Sequence, residues 1–289
     1  MRLGLHALGI GAGAQRSVID AVAAGAEEGG FATLWAGEHV VMVDTSASRY
    51  PYAEDGKIAV PAEADWLDPL IGLSFVAAAT TTIGIATGVV LLPEHNPVIV
   101  AKQVASLDRL SGGRLTLGIG IGWSREEFAA LGVQFARRSH RTAEYVAAMR
   151  TLWGRDVASF DGEFVTFDAI RVNPKPVRGA GLPVILGGNS DAALRRVAAW
   201  GDGWYGFNLA DVGEVADRVG ALRRFCAEAG RDPGGLRLAV ALQNPAAPDV
   251  KALAELGIDE LVIVAVPPDD SGAAREWVLE LAGRWMAAL

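Results

Sequence analysis

One cysteine, Cys226, among 289 residues rules out an intrachain disulfide. Its flanks read as a helix face, so it is expected as a core or near-surface thiol rather than a nucleophile. Positive charge is in deficit, with 26 Lys and Arg against 34 Asp and Glu and a formal net charge of −8. That balance argues against general nucleic-acid binding. No apolar run is long enough to span a bilayer. The first residues, MRLGLHAL, read as a strand and lack the charged-then-apolar order of an export signal. These points favour the cytoplasm. The four histidines are scattered, and neither HExxH nor a Cys/His cluster with metal-ligand spacing occurs, so no metal site is expected. GxxxxGK[ST] and GxSxG are missing. Gly9, Gly11 and Gly13, like Gly118, Gly120 and Gly122, are spaced GxGxG, not GxGxxG. A P-loop or ordinary dinucleotide fingerprint is therefore disfavoured. No repeat and no low-complexity linker divides the chain, and one domain over 1–289 is the simplest organisation.

What is present is alternation. Strand candidates at Arg2–Ala7, Ala32–Trp35, Ile83–Gly88 (extended by Val89–Leu92), Arg114–Ile119, Pro183–Leu186, from Trp204, Leu236–Ala241 and Leu261–Val266 are separated by stretches of helical periodicity. A composition that is 51% hydrophobic and 21% charged supports a large core. Eight such units in this length predict a (β/α)8 TIM barrel, with a doubly wound sheet as the alternative. Residues 41–66 lack periodicity and form an insertion after the second strand, and Phe160–Phe167 reads as a hairpin before the fifth. The helix at Pro97–Leu110 is expected to turn Val100, Ala101, Val104, Leu107 and Leu110 inward. The helix beyond the Arg137–Arg141 cluster is expected from about Thr142.

The most informative stretch is Leu182–Tyr205, read as strand, glycine turn, helix, strand. Gly187 and Gly188 allow a tight turn, and Asn189, Ser190 and Asp191 are N-cap types. Such a turn offers free N–H groups and the positive end of a helix dipole, which suit a phosphate; an ordinary capped turn is the other reading. Trp35, Glu38 and His39 follow the second strand. Thr87, Gly88 and Val89 end the third, and Gly120, Gly122 and Trp123 leave the fourth. In a barrel these ends share the active face. Their glycines are expected to leave flat space for a planar ring. His39 is the proton-transfer candidate, against the reading of a structural histidine bonded to a loop carbonyl. His6 is expected to pack in the barrel. His140 lies in a cluster that either reaches a phosphate or starts a solvated helix.

The segments LWAGEHV (34–40), IATGVVLLP (85–93), SGGRLTLGIGIGWSREEFAALG (111–132), FDGEFVTFDAIRVNPKPV (160–177) and LPVILGGNSDAALRRVAAWGDGW (182–204) resemble the luciferase-like monooxygenase family, in particular its coenzyme F420-dependent oxidoreductases. The resemblance covers essentially the whole chain. It implies a bacterial-luciferase-like barrel, a non-prolyl cis peptide at Gly88–Val89 behind the cofactor ring, and a phosphate at Gly187, Gly188, Asn189 and Ser190. Trp35, His39, Thr87, Gly88, Val89, Gly120, Gly122 and Trp123 would border the cofactor, with His39 relaying protons. It implies hydride exchange between F420 and a small organic substrate, in a protein that is commonly a homodimer. An FMN-dependent two-component monooxygenase served by a separate flavin reductase is the alternative, and a non-catalytic flavin- or deazaflavin-binding protein the second. The sequence departs from the family at Pro93-Glu94-His95-Asn96-Pro97, where many members carry an arginine between the prolines.

Overall fold

A strand whose residues alternate between two apolar environments must be covered on both faces. The computed structural model, which describes residues 1–289, meets that requirement by closing the sheet on itself. The elements run β1 (Arg2–Leu8), α1 (Arg16–Glu28), β2 (Thr33–Ala36), α2 (Pro69–Ala79), β3 (Gly84–Thr87), β4 (Val90–Leu91) and α3 (Pro97–Leu110). They continue with β5 (Leu115–Gly120), α4 (Arg125–Ala130), α5 (Arg138–Gly154), β6 (Ala158–Asp161), β7 (Thr166–Ile170), β8 (Val184–Gly187) and α6 (Asp191–Trp200). The last are β9 (Gly203–Leu209), α7 (Val212–Glu228), β10 (Arg237–Leu242), α8 (Ala247–Glu255), β11 (Glu260–Val264) and α9 (Ser271–Met286).

The parallel order β3-β2-β1-β11-β10-β9-β8-β5, with β3 also paired to β5, makes an eight-stranded ring. A doubly wound sheet would have left two edges; here the ends of the order join, Ile85 and Ala86 of β3 facing Leu115 and Thr116 of β5. Alternation sorts the side chains. Leu34, Ile85, Val184, Leu186, Leu238, Val240, Leu261 and Ile263 face the helices in the main core. Trp35, Ala86, Ile185, Tyr205, Ala239, Ala241 and Val262 fill the lumen. Two rings and several small residues together pack a barrel interior. Trp35 lies on Tyr205 with centroids 4.6 Å apart, and donates Nε1–H to the buried Glu260 carboxylate at 2.8 Å. Arg237 Nη2 donates to the same carboxylate at 2.8 Å, so the buried charge has a cationic partner.

The hairpin forms as expected, β6 against β7, antiparallel and outside the barrel. Three expectations need correction. The third strand is not continuous into Leu92: the cis peptide Gly88–Val89 breaks it into β3 and the short β4. Leu110 is 81% exposed, and the inner face of α3 uses Ala105 and Asp108 beside Val100, Ala101, Val104 and Leu107. The fifth helix starts at Arg138, four residues before the expected Thr142. Arg137 turns the chain at φ 58°, and Arg141 is buried, so part of the basic cluster is already helical. Cys226 is buried in α7. No helix is long and apolar enough to cross a membrane.

Candidate active site

The strand C-termini open onto one face, where the insertion after β2 lies over the mouth. Its far end is tied down by Trp66, whose Nε1–H donates to Gly37 O at 3.1 Å. Its near part is held by the Glu126 carboxylate, which accepts from Ala47 N at 2.8 Å and Ser48 N at 3.2 Å. The Ser48 side chain first, and with it the backbone N–H groups around the carboxylate, hold the Glu126 carboxyl down at about 2. Between the anchors, Tyr50 meets the Trp123 ring edge-on at 5.4 Å and Tyr52 meets Phe207 at 5.6 Å. Asn208 Nδ2 donates to Tyr52 O at 2.8 Å. The two tyrosines therefore bridge the mouth from the end of β5 to the end of β9, and burial raises the pKa of both.

Beneath the tyrosines is the cis peptide. A Cβ built on Gly88 falls 3.2 Å from Trp35, 3.2 Å from Tyr205 and 3.3 Å from His6, so the lumen ends directly under it. The Val89 side chain fills the space beside two expected shelf glycines. A Cβ on Gly120 would lie 2.7 Å from Val89 Cγ2, and one on Gly187 3.1 Å from Val89 Cγ1. Gly122 likewise makes room for Phe128 (2.6 Å) and Glu94 Oε1 (2.7 Å). These three glycines do not leave open space, as the sequence had suggested; they admit side chains of the protein itself. Thr87 is a clasp: its hydroxyl donates to Gly118 O at 2.6 Å and accepts from Gly118 N at 2.8 Å. Trp35 has no exposed surface and stands below the mouth rather than in its wall.

His39 lies at the rim with its side chain 9% exposed, between the edges of Trp66 (4.9 Å) and Trp123 (5.8 Å). Its Nδ1 is 2.8 Å from Glu127 Oε2, and the other oxygen of that carboxylate accepts from Val40 N at 2.8 Å and Val41 N at 3.3 Å. The partner is thus a buried carboxylate, not a loop carbonyl. With Nδ1–H donated to it, Nε2 is the nitrogen left for a ligand. Ser124 caps α4 by accepting from Glu127 N at 3.2 Å, which fixes where that carboxylate stands. A cavity of about 390 Å³ opens beside His39, lined by Val41, Met42, Val43, Ile58, Val60 and Trp123 among others.

A second carboxylate–histidine pair adjoins the first. Glu38 Oε2 accepts from Leu91 N at 2.6 Å and sits 3.0 Å from His95 Nε2. Burial opposes charging of His95, but the Glu38 contact prevails and its pKa is raised. At residues 93–97, the point of departure from the family, the imidazole of His95 is thus the partner of Glu38. His6 sits deeper, with Nδ1 3.3 Å from Tyr205 OH, and burial lowers it to about 4. His140 is exposed on α5 and outside the site.

At the opposite rim, Ser190 caps α6, accepting from Ala193 N at 3.3 Å. Gly188 adopts φ +109°, open to glycine and strained for other residues. Asn189 Nδ2 donates to Phe207 O at 2.8 Å, while its Oδ1 is buried without a partner. Arg196, in the second turn of α6, is 3.5 Å from Ser139 Oγ, and Arg138 Nε donates to Gly122 O at 3.1 Å. Neither contacts a carboxylate. Burial and neighbouring guanidinium groups lower both: Arg138 acts on Arg196, and Arg125 and Arg141 act on Arg138. Pattern reading singled out the turn but missed Arg138, Arg196, Glu94 and Glu127, because they come from separate helices and loops and match no local motif. The Arg137–Arg141 run was a signal for Arg138 alone.

A family model described as luciferase-like monooxygenase matches residues 5–284. An uncharacterized protein of Mycobacterium tuberculosis is 36% identical over 261 residues, 90% of each chain. An FMNH2-dependent dimethylsulfone monooxygenase of Pseudomonas fluorescens is 34% identical over 149 residues, 50% of this chain and 40% of that one. An F420-dependent secondary alcohol dehydrogenase, solved with an F420–acetone adduct, superposes with a TM-score of 0.75 at 17% identity, over 100% of this chain and 99% of that one. At that identity the likeness is one of fold.

Proposed function

The chain belongs to the luciferase-like monooxygenase family, and we propose that it is an F420-dependent oxidoreductase exchanging hydride with a small organic substrate. The observation that carries this reading is the group of arginines without carboxylate partners beside the Gly187–Ser190 turn. Mutually repelling guanidinium groups depress one another unless an anion joins them. The donors suit the anionic tail of a deazaflavin, which bears carboxylates beyond its phosphate. The unsatisfied Asn189 Oδ1 leaves one acceptor for a hydroxyl or N–H of the ligand.

Residues of this chain divide the work. Gly188, Asn189, Ser190, Arg138 and Arg196 would hold the anionic end. Gly88 and Val89, backed by Trp35 and Tyr205, would support the ring, with Gly120, Gly122, Gly187, Thr87 and Trp123 around it. Bound there, a deazaflavin supplies hydride exchange at its C5. His39, oriented by Glu127 through Nδ1, gives or takes the accompanying proton at Nε2. The cavity beside His39, lined by apolar side chains together with Thr45, Ser46, Lys57 and Glu127, receives the substrate.

A second reading is an FMN-dependent monooxygenase served by a separate flavin reductase, favoured by the Pseudomonas relative. Fluorescence titration separates them. F420 is expected to bind at least about tenfold tighter than FMN, with affinity falling as salt rises. Tighter binding of FMN would overturn the deazaflavin reading.

A further inference from the structure

Two neighbouring residues at the end of β9 tie the insertion after β2 to the Gly187–Ser190 turn. Phe207 O accepts from Asn189 Nδ2 at 2.8 Å, and the Phe207 ring meets Tyr52 edge-on at 5.6 Å. Asn208, in the left-handed region at φ 58°, donates Nδ2–H to Tyr52 O at 2.8 Å. Tyr50 meets the same Tyr52 ring edge-on, with centroids 5.4 Å apart. The loop that carries both rings also bonds to itself. Tyr50 N donates to Gly56 O at 2.7 Å, Gly56 N to Ala53 O at 3.0 Å, and Arg49 Nη2 to Glu54 O at 2.9 Å. Backbone and ring of Tyr52 are thereby fixed, and its hydroxyl lies beside the turn, 3.9 Å from where a Cβ on Gly188 would stand. The Tyr52 carbonyl is bonded, but no group of the chain bonds that hydroxyl. The polar tip of a packed tyrosine usually finds a partner.

We propose that Tyr52 is a ligand-binding residue: its phenol O–H donates to a phosphate seated on the Gly188–Ser190 turn, so that the insertion closes the anion site from across the mouth. The other donors assigned to that end, the turn itself with Arg138 and Arg196, come from α5, α6 and the loop before α6. Tyr52 is the one that arrives from the β2 side. Gly188 leaves the gap between turn and hydroxyl clear of a side chain. Asp191, the acid in the first turn of α6, is held by Arg218 Nη1 at 2.9 Å and does not compete for the donors. Burial raises the pKa of the Tyr52 hydroxyl against the pull of Arg196, so at neutral pH it is an O–H donor and not a phenolate. A hydroxyl bonded to an ionised oxygen makes one of the stronger hydrogen bonds. The role of Tyr52 rests on the reading of this turn as the anion site, but not on which ring the ligand carries.

Two ligand pairs isolate the phosphate: FMN against riboflavin, and F420 against the deazaflavin alcohol that lacks the phosphate and everything beyond it. Each is titrated by fluorescence into the purified full chain. Tyr52→Phe keeps the ring contacts with Phe207 and Tyr50 and removes only the hydroxyl. It is expected to raise Kd for FMN and F420 by about tenfold and for their phosphate-free partners by less than about twofold. Arg196→Ala, measured in the same way, reports on the anion site itself. If Tyr52→Phe weakens both members of a pair equally, or neither, while Arg196→Ala still discriminates between them, the role of Tyr52 is overturned and the anion site stands. If neither variant discriminates, the anion site falls and Tyr52 with it.

Discussion

The two rims of the barrel mouth carry opposite charge and are built differently. On the side of β2 and β3, Glu38 and Glu127 each pair with a histidine and accept backbone N–H bonds, and Glu94 lies beside both carboxyls. Toward α5 and α6, Arg138 and Arg196 have no carboxylate at all. One rim is internally paired and the other awaits a partner. A paired carboxylate–imidazole couple sets the state of a proton, whereas an unpaired cation cluster lowers its energy only when an anion arrives. Under the proposed function, the first rim would handle the proton and the second retain the ligand.

If that division holds, the two rims fail in different observables. The largest effect is expected from His39→Ala, a fall in kcat of roughly 10²–10⁴-fold. Cofactor Kd should change less than about tenfold; an unaltered kcat would remove His39 from the chemistry. Next, Arg138→Ala and Arg196→Ala should each raise the cofactor Kd by about 10–100-fold, the loss of one charge-assisted contact. The salt dependence of binding should weaken as well, and kcat at saturation should stay near wild type. A pair of Arg variants that bind normally would erase the contrast.

The smallest effect tests the ground beneath both rims. His6 is held down at about 4 by burial, below the ordinary imidazole value of 6.5. A base depressed in the folded state contributes stability above its unfolded pKa, and that stability is lost as pH falls from 6.5 toward 4. His6→Asn should therefore flatten the acid side of the stability curve, by a difference on the order of 1–3 kcal/mol between pH 7 and 4 in denaturant titrations. An unchanged acid slope would mean that His6 is not the titrating group.

Much of this was legible beforehand. The alternation of strands and helices, the hairpin at 160–167, the glycine turn with its Ser190 cap and the position of His39 at a strand end could all be read along the chain, because period, cap and turn chemistry are local. The glycines were expected to leave flat space, and the structure puts Val89 where a Cβ on Gly120 or Gly187 would stand. Nothing in GIGIG says whether a ligand or Val89 fills the gap, since Val89 comes from the link between β3 and β4. Glu127 matches no local motif, because its carboxylate reaches 88 residues back to His39. Tyr50 and Tyr52 sit in a segment without periodicity, so their crossing of the mouth left no sequence signal.

What the sequence by itself determined is the repeat of half-buried strands and amphipathic helices, because burying both faces of eight short strands leaves few shapes other than a closed ring. What only the tertiary structure decided is which charges meet. Ring closure brings residues from different βα units to the same few ångströms of one rim, and over those distances the low-dielectric surroundings make a neighbour's charge outweigh a side chain's intrinsic chemistry. That is why burial and its carboxylate neighbours raise Glu94, Glu38 raises His95, and Arg196 stands here without a carboxylate.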